Sequence, residues 1–437
     1  MVPETRIAAA PGDFSPDSAS ATAVPERPAW GAVLAMTLGV FALVTAEFLP
    51  ASLLTPLAEG LQISKGGAGQ AVTATALVAL LSSLLITSFL GRLDRRWVLM
   101  GFSVLLIGSN LLVATAPGLG MLLLGRVLLG VAMGGFWSLS TATMMRLVPE
   151  AAIPRAFSIM FMGVSAATVF AVPVGSYLGA VIGWRGVFLA ATVLGVLALV
   201  LQALTLPALP GRGAGQPGVL IEVMKRPGIA VGMLGALLVF AGHFTFFTYI
   251  RPFLETVTGV GVDGVTTILF AFGIANFIGT YLVAFVIARS LRLALLMMPL
   301  AMAVLALLLT ALGGVPALDG VLISVWGMLF AGVPVAWSTW ITRAMPDQAE
   351  AGGSLIVAAI NFAIAAGAGM GGALLEGAGP RGVFLARGVI LLAAAGLIAT
   401  RLRSGEVARS GVSMPGTGAT RSVLTGQHSQ QTGACHG

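Results

Sequence analysis

The chain has 437 residues, 57% of them hydrophobic and 9% charged. Soluble domains carry ~25% charged residues, and no sphere-like soluble fold of this length hides so much apolar surface, so the composition excludes a soluble protein and fits an integral membrane protein. The net charge of +7 is spread singly between apolar runs with no clustered basic face, which excludes a nucleic-acid binder.

Residues 1–29 are rich in Pro, Ala and Ser and hold mixed charges. They lack a basic region followed by an apolar core, so they are expected to be a disordered cytoplasmic arm and not a signal peptide. The first apolar run, about 31–57, is long enough to cross a bilayer, which takes ~20 residues. It carries one carboxylate, Glu47. A charge at that depth costs a few kcal/mol, so it is expected to face a protein interior or an aqueous cavity.

Further apolar segments follow at about 68–90, 97–116, 119–145, 156–182 and 186–206, and then at 229–254, 265–288, 293–313, 318–342, 353–376 and 382–402. The long polar connection 207–228 divides them into two sets of six. The sequence therefore predicts an all-α membrane protein with twelve transmembrane helices in two six-helix bundles, 30–206 and 229–403, joined by a cytoplasmic linker. The polar tail 404–437 is expected to be disordered. Arginines and lysines set the orientation. With both termini cytoplasmic, the outer connections hold only Lys65, Arg185, Arg251 and Arg381, and the inner ones hold nearly all the rest. Arg126 and Arg387 lie within segments.

The loop after the second segment reads Gly91-Arg92-Leu93-Asp94-Arg95-Arg96. A glycine, an acid and a basic cluster at this place are more than a positive-inside cluster needs. The fourth segment carries Arg126, Gly130 and Gly134 four residues apart, hence on one face. The glycines permit close helix packing, and the arginine points into that packing or beside it. By depth, at 1.5 Å per residue, Arg126 and Glu47 differ by roughly 6 Å, within reach of two long side chains on adjacent helices. Arg126 is thus expected to hold Glu47 ionised in one state, with proton binding releasing it in another. The fifth segment has Pro173 between Val172 and Gly175, a plain kink or a gating element.

The seventh segment is the most aromatic: Phe240-Ala241-Gly242-His243-Phe244-Thr245-Phe246-Phe247-Thr248-Tyr249. His243 lies near mid-membrane, where an aromatic belt does not explain it. It is a candidate hydrogen-bond partner or proton relay beside Phe247. In the tenth segment Trp337 lies one turn deeper than Trp340. Trp137 of the fourth segment has a similar depth in the other half. Asn276 and Asn361 are buried amides that need a helix or a ligand as partner. Trp137, Phe247, Asn276, Trp337 and Asn361 are the candidate substrate contacts, suited to a neutral solute with a flat ring. The single cysteine, Cys435, stands beside His436 in the tail and excludes an intrachain disulfide or a multi-cysteine metal site. No metal and no cofactor is expected. Three histidines, one of them intramembrane, make no catalytic constellation, so an enzyme is not expected.

Two six-helix halves with the Gly91–Arg96 pattern resemble the major facilitator superfamily. The helix-four Arg126 and glycines and the helix-five Pro173, Gly175 and Gly179 resemble its proton-coupled antiporter branch. That resemblance implies two pseudo-symmetric bundles with a central cavity, proton coupling through Glu47, Arg126 and His243, and gating by Gly91, Asp94, Arg95 and Pro173. Asp94 would cap or pair with a neighbouring helix end. The stretches Ala46–Pro50, Gly134–Trp137, Phe246–Pro252, Trp337–Arg343 and Asp347–Glu350 resemble purine-nucleoside exporters of that branch. They imply proton-driven export of inosine and guanosine by alternating access through the bacterial inner membrane. The partners implied are a small purine nucleoside, protons and the lipid bilayer, with the carrier a monomer and no nucleic acid bound. An exporter of sugars or amphipathic drugs in the same superfamily is the alternative.

Overall fold

A long apolar run in lipid must satisfy its own backbone hydrogen bonds, which a helix does within one segment. The computed structural model describes residues 28–90, 93–149, 152–210, 222, 224–345 and 349–402, and every element among them is helical. Nearly all of the 1–29 arm, Gly91, much of the linker, Asp347 and the 404–437 tail with Cys435 lie outside the described residues.

The first half comprises α1 (Trp30–Ser52), the short α2 (Leu54–Leu61), α3 (Lys65–Leu90), α4 (Arg95–Ala114), α5 (Leu119–Leu147), α6 (Ile153–Val181) and α7 (Gly183–Thr205). The second comprises α8 (Ile229–Phe247), the short α9 (Ile250–Thr256), α10 (Val262–Arg289), α11 (Leu291–Leu312), α12 (Pro316–Ala344) and α13 (Ala349–Arg401). Eleven of these helices are long and apolar enough to cross a membrane. The last, 53 residues long, has non-helical backbone at Gly379 (φ 68°), followed at once by Pro380. The positive φ suits glycine, and the proline withholds a helical N–H.

In the first half α1 packs on α6 and α7, α5 packs on α3 and α4, and α4 packs on α7. In the second, α8 and α11 pack on α13, and α10 packs on α12. The halves meet along two helix pairs, α3 with α13 and α6 with α10. Large apolar side chains such as Phe285, Leu204 and Val389 stand exposed on the outside, as lipid contact requires.

Where the sequence predicts one unbroken run over 31–57, the structure breaks it at Leu53. Pro50 lacks an N–H, and the Ser52 hydroxyl donates to the Leu49 carbonyl at 2.9 Å, which competes with the helical bond. The chain restarts as α2 with Pro56 in the first turn, where the missing N–H costs nothing. The second half repeats this. α8 stops at Phe247, and α9 restarts at Ile250 with Pro252 in its first turn. Leu54-Thr55-Pro56-Leu57-Ala58-Glu59 and Ile250-Arg251-Pro252-Phe253-Leu254-Glu255 are the same pattern in the same register.

Candidate functional site

Arg126 of α5 is fully buried and does not snorkel. Its guanidinium donates from Nη1 to the Ala46 carbonyl at 2.9 Å and from Nη2 to the Glu47 carbonyl at 3.5 Å. Nε donates to Thr75 Oγ1 at 3.0 Å and to the Ala71 carbonyl at 3.4 Å. One cation thus staples three helices: α5, which carries it, α1 and α3. Gly130 and Gly134 make this possible, because a Cβ at either would collide with the α3 backbone at Thr75 and Ala79. Arg126 and Glu47 act on each other electrostatically, while the hydrogen bonds of the guanidinium go elsewhere. Arg126 grips the α1 main chain at Glu47, and among the described residues it makes no hydrogen bond to the Glu47 carboxylate.

Glu47 is half-buried, and the next residue, Phe48, meets Phe247 of α8 edge to face with ring centroids 5.5 Å apart. That contact joins the two halves. The Glu47 carboxylate therefore belongs to the segment of α1 that borders the seam between them.

Across the seam Phe247 stacks beside His243, centroids 5.3 Å apart and planes 20° apart. His243 is 2% exposed. Its Nδ1 accepts a hydrogen bond from Trp326 Nε1 of α12 at 3.0 Å, and its ring lies flat on Phe330, 3.3 Å away. Arg387 of α13 is fully buried behind Trp326. Its guanidinium sits 3.9 Å over Phe384, 4.0 Å over Phe246 and 4.2 Å over Trp326. None of its three nitrogens finds a hydrogen-bond partner among the described residues. Sequence reading marks Arg387 as intramembrane and assigns it nothing, because its partners are rings from three different helices.

The other candidates scatter. Trp137 is half-buried and stacks on Phe161 of α6 at 6.3 Å. Trp337 is 1% exposed and packs on Trp340, inside the second half. Asn276 donates to the Gly327 carbonyl at 3.1 Å, which ties α10 to α12. Asn361 donates to Val357 of its own helix at 3.0 Å. Asp94 caps α4 by accepting from Arg96 N at 2.9 Å and also accepts from Leu209 N at 3.0 Å. The Arg95 N–H donates to the Leu209 carbonyl at 2.9 Å. This loop therefore binds the chain leaving α7, a helix end in its own half. Pro173 lies within α6. Among the described residues no group of acids, histidines or cysteines is placed to hold a metal ion.

Sequence reading missed a polar clasp at the end of the seam where the two broken helices meet. Arg251 of α9 donates from Nε to Glu255 at 2.7 Å. Its Nη1 donates to the Ser52 carbonyl at 2.5 Å and to Ser176 Oγ of α6 at 3.4 Å. Thr55 of α2 donates to the other Glu255 oxygen at 2.5 Å. The break in α1 frees the Ser52 carbonyl for this contact. Nearby, Ser64 donates to Glu376 of α13, and Tyr249 donates to the Ala368 carbonyl at 2.8 Å. A Cβ at Gly69 of α3 would strike the Tyr249 hydroxyl. The signal that finds the clasp is the six-residue repeat around Pro56 and Pro252, a break at matching places in two halves.

Two helical halves sharing one seam, bordered by a carboxylate and closed at one end by their broken helices, define a membrane solute carrier. The family model of the Major Facilitator Superfamily matches residues 36–357, and the chain belongs to that superfamily. It is 47% identical over 377 residues to a purine ribonucleoside efflux pump, NepI, of Salmonella enteritidis PT4, covering 86% of this chain and 95% of that one. The NepI pump of Salmonella typhi is 46% identical over the same shares. Among solved structures, a bacterial homologue of the human lysosomal transporter Spinster, inward-facing and unoccupied, aligns with TM-score 0.68 at 17% identity over 85% of this chain and 96% of that chain. A D-xylose–proton symporter aligns with TM-score 0.67 at 17% identity over 85% and 97%. These two likenesses concern the fold.

Proposed function

We propose that the protein exports purine ribonucleosides such as inosine and guanosine across the bacterial inner membrane in exchange for protons, acting as a monomer. The observation that carries this reading is near-complete coverage of the Salmonella purine ribonucleoside pumps at 47% identity. The geometry supports it: an acid on α1 borders the seam opposite a cluster of aromatic rings and a histidine on α8.

In this reading the chain crosses the membrane twelve times. A 53-residue helix would be ~80 Å long at 1.5 Å per residue, far more than the ~30 Å hydrocarbon core. α13 therefore crosses twice and turns at Gly379. With both termini cytoplasmic by the positive-inside rule, α2, α9 and Gly379 lie at the outer end. The clasp of Arg251, Glu255, Thr55, Ser52 and Ser176 then closes the outer end, so the seam opens to the cytoplasm. Nucleoside enters from inside and stacks against the α8 aromatics. The halves rock, the clasp opens, and the nucleoside leaves. A proton taken up from outside on Glu47 neutralises the acid and permits the return. Arg126 keeps the backbone at Ala46 and Glu47 fixed on α3 and α5, so a charge change at Glu47 is transmitted to three helices together. Asp94, Arg95 and Gly91 act on the inner side, where Asp94 exchanges its present helix end for another as the inner end closes, and Pro173 acts in the outer half of α6, three residues before Ser176 of the clasp.

The test is counterflow of labelled inosine by the purified protein in liposomes. Guanosine is expected to compete, and arabinose and a cationic drug are expected not to. Counterflow of arabinose or of the drug in place of inosine would overturn the substrate assignment.

A further inference from the structure

Resting on the transport reading, we propose that Trp326 and Arg387 are positioning residues. They hold His243 as a neutral imidazole with its hydrogen on Nε2, so that His243 is a fixed hydrogen-bond donor to the substrate and not a carrier of the coupled proton. An indole Nε1 is only ever a donor. At 3.0 Å it points at His243 Nδ1, so that nitrogen must present its lone pair. An imidazolium carries hydrogen on both nitrogens and has no lone pair to offer. The neutral ring with hydrogen on Nε2 is the form that fits.

Arg387 fixes the indole. Its guanidinium is always charged and here makes contacts with three ring faces in place of hydrogen bonds. Cation–π attraction holds the Trp326 plane, and the plane sets the aim of Nε1–H. Phe330 and Phe247 hold the imidazole in turn. Arg387 faces this cluster from α13, Glu47 adjoins Phe48 on α1, and α10 and α12 present Phe272, Trp326 and Phe330. Phe247, on which the imidazole stacks, reaches the seam at Phe48, so His243 lies one ring back from it. The solute class this selects is an aromatic heterocycle with a ring nitrogen or carbonyl acceptor near its edge, as a purine has.

The test compares four variants in gradient-driven inosine uptake by inside-out vesicles. His243→Gln keeps an N–H donor, loses the stacked ring and has no proton to carry, so its KM should rise while its uptake still follows the proton gradient. His243→Leu removes the donor and should raise KM roughly tenfold at unchanged gradient dependence. Trp326→Phe keeps the ring and loses only the N–H, so it should raise KM by itself and add nothing in the His243→Leu background. Arg387→Lys, which loses the planar stack, should follow Trp326→Phe. Loss of gradient-driven uptake in His243→Gln, or an unchanged KM in Trp326→Phe, overturns the proposal. A separate readout does not depend on transport: 15N NMR of histidine-labelled protein, with His243 assigned by difference against His243→Gln and against the two tail histidines His428 and His436. The expected signal is a neutral ring protonated at Nε2 from about pH 5 to 8. A ring that gains a second proton in that range contradicts the inference even if inosine is not the substrate, whereas a parent that moves no inosine overturns only the transport reading.

Discussion

Glu47 and Arg126 divide their work. Arg126 gives its hydrogen bonds to the main chain of α1 and to α3, and Glu47 stands on the stretch of α1 that meets the second half at Phe48. Glu47→Gln should therefore fold and exchange inosine for inosine, and should lose accumulation driven by a proton gradient. A variant that still accumulates would place the coupled proton elsewhere. Thr75→Val removes one acceptor of the buried guanidinium. Hydrogen bonds to charged groups are worth ~1.5–3 kcal/mol, so the variant should melt earlier than the parent, by thermal unfolding in detergent, with its substrate selectivity unchanged. These two residues were legible in the sequence because a lone charge in an apolar run has few explanations. Trp337 was not. α12 is apolar on all sides, so periodicity gives no sign of which face meets lipid, a neighbouring helix or the seam, and the ring proves to be packed inside the second half.

At the scale of elements, the proposed gating devices are the two breaks. Hydropathy does not register them, since Pro50 and Ser52 are common in membrane helices and the runs 31–57 and 229–254 stay apolar throughout. The spans were legible to within a few residues, and the change of direction inside them was not. The breaks turn α2 and α9 toward each other, and the clasp between them should govern outer closure. The single cysteine, Cys435, makes this measurable. In a Cys435→Ser background, Phe48→Cys lies below the clasp and should react slowly with a membrane-impermeant thiol reagent added outside. Adding Arg251→Ala removes charge-assisted bonds worth at least ~1.5 kcal/mol and should speed that labelling about tenfold or more. Equal rates with and without Arg251 would remove the clasp from the gating account. Gly69→Leu should act in the same direction. Its side chain collides with Tyr249, so α3 and α13 cannot close, and transport stops in a protein that still folds.

At the scale of the whole molecule, composition and the alternation of Arg and Lys dictated a multi-span carrier, and the family match agrees. The proposed double crossing of α13 rests on one glycine and one proline, Gly379 and Pro380. Gly377→Cys in the same background should label from outside in intact cells, and Cys435 in the parent only after permeabilisation. Labelling of both from one side would mean a single crossing. In the proposed cycle a proton gradient drives nucleoside out of the cell through Glu47. The measurement is uptake of labelled inosine into inside-out vesicles with the lumen made acidic, for the parent and for Glu47→Gln. The account predicts accumulation above the outside concentration in the parent, abolished when the gradient is collapsed and absent in Glu47→Gln. Accumulation that ignores the gradient, or that survives Glu47→Gln, would contradict it.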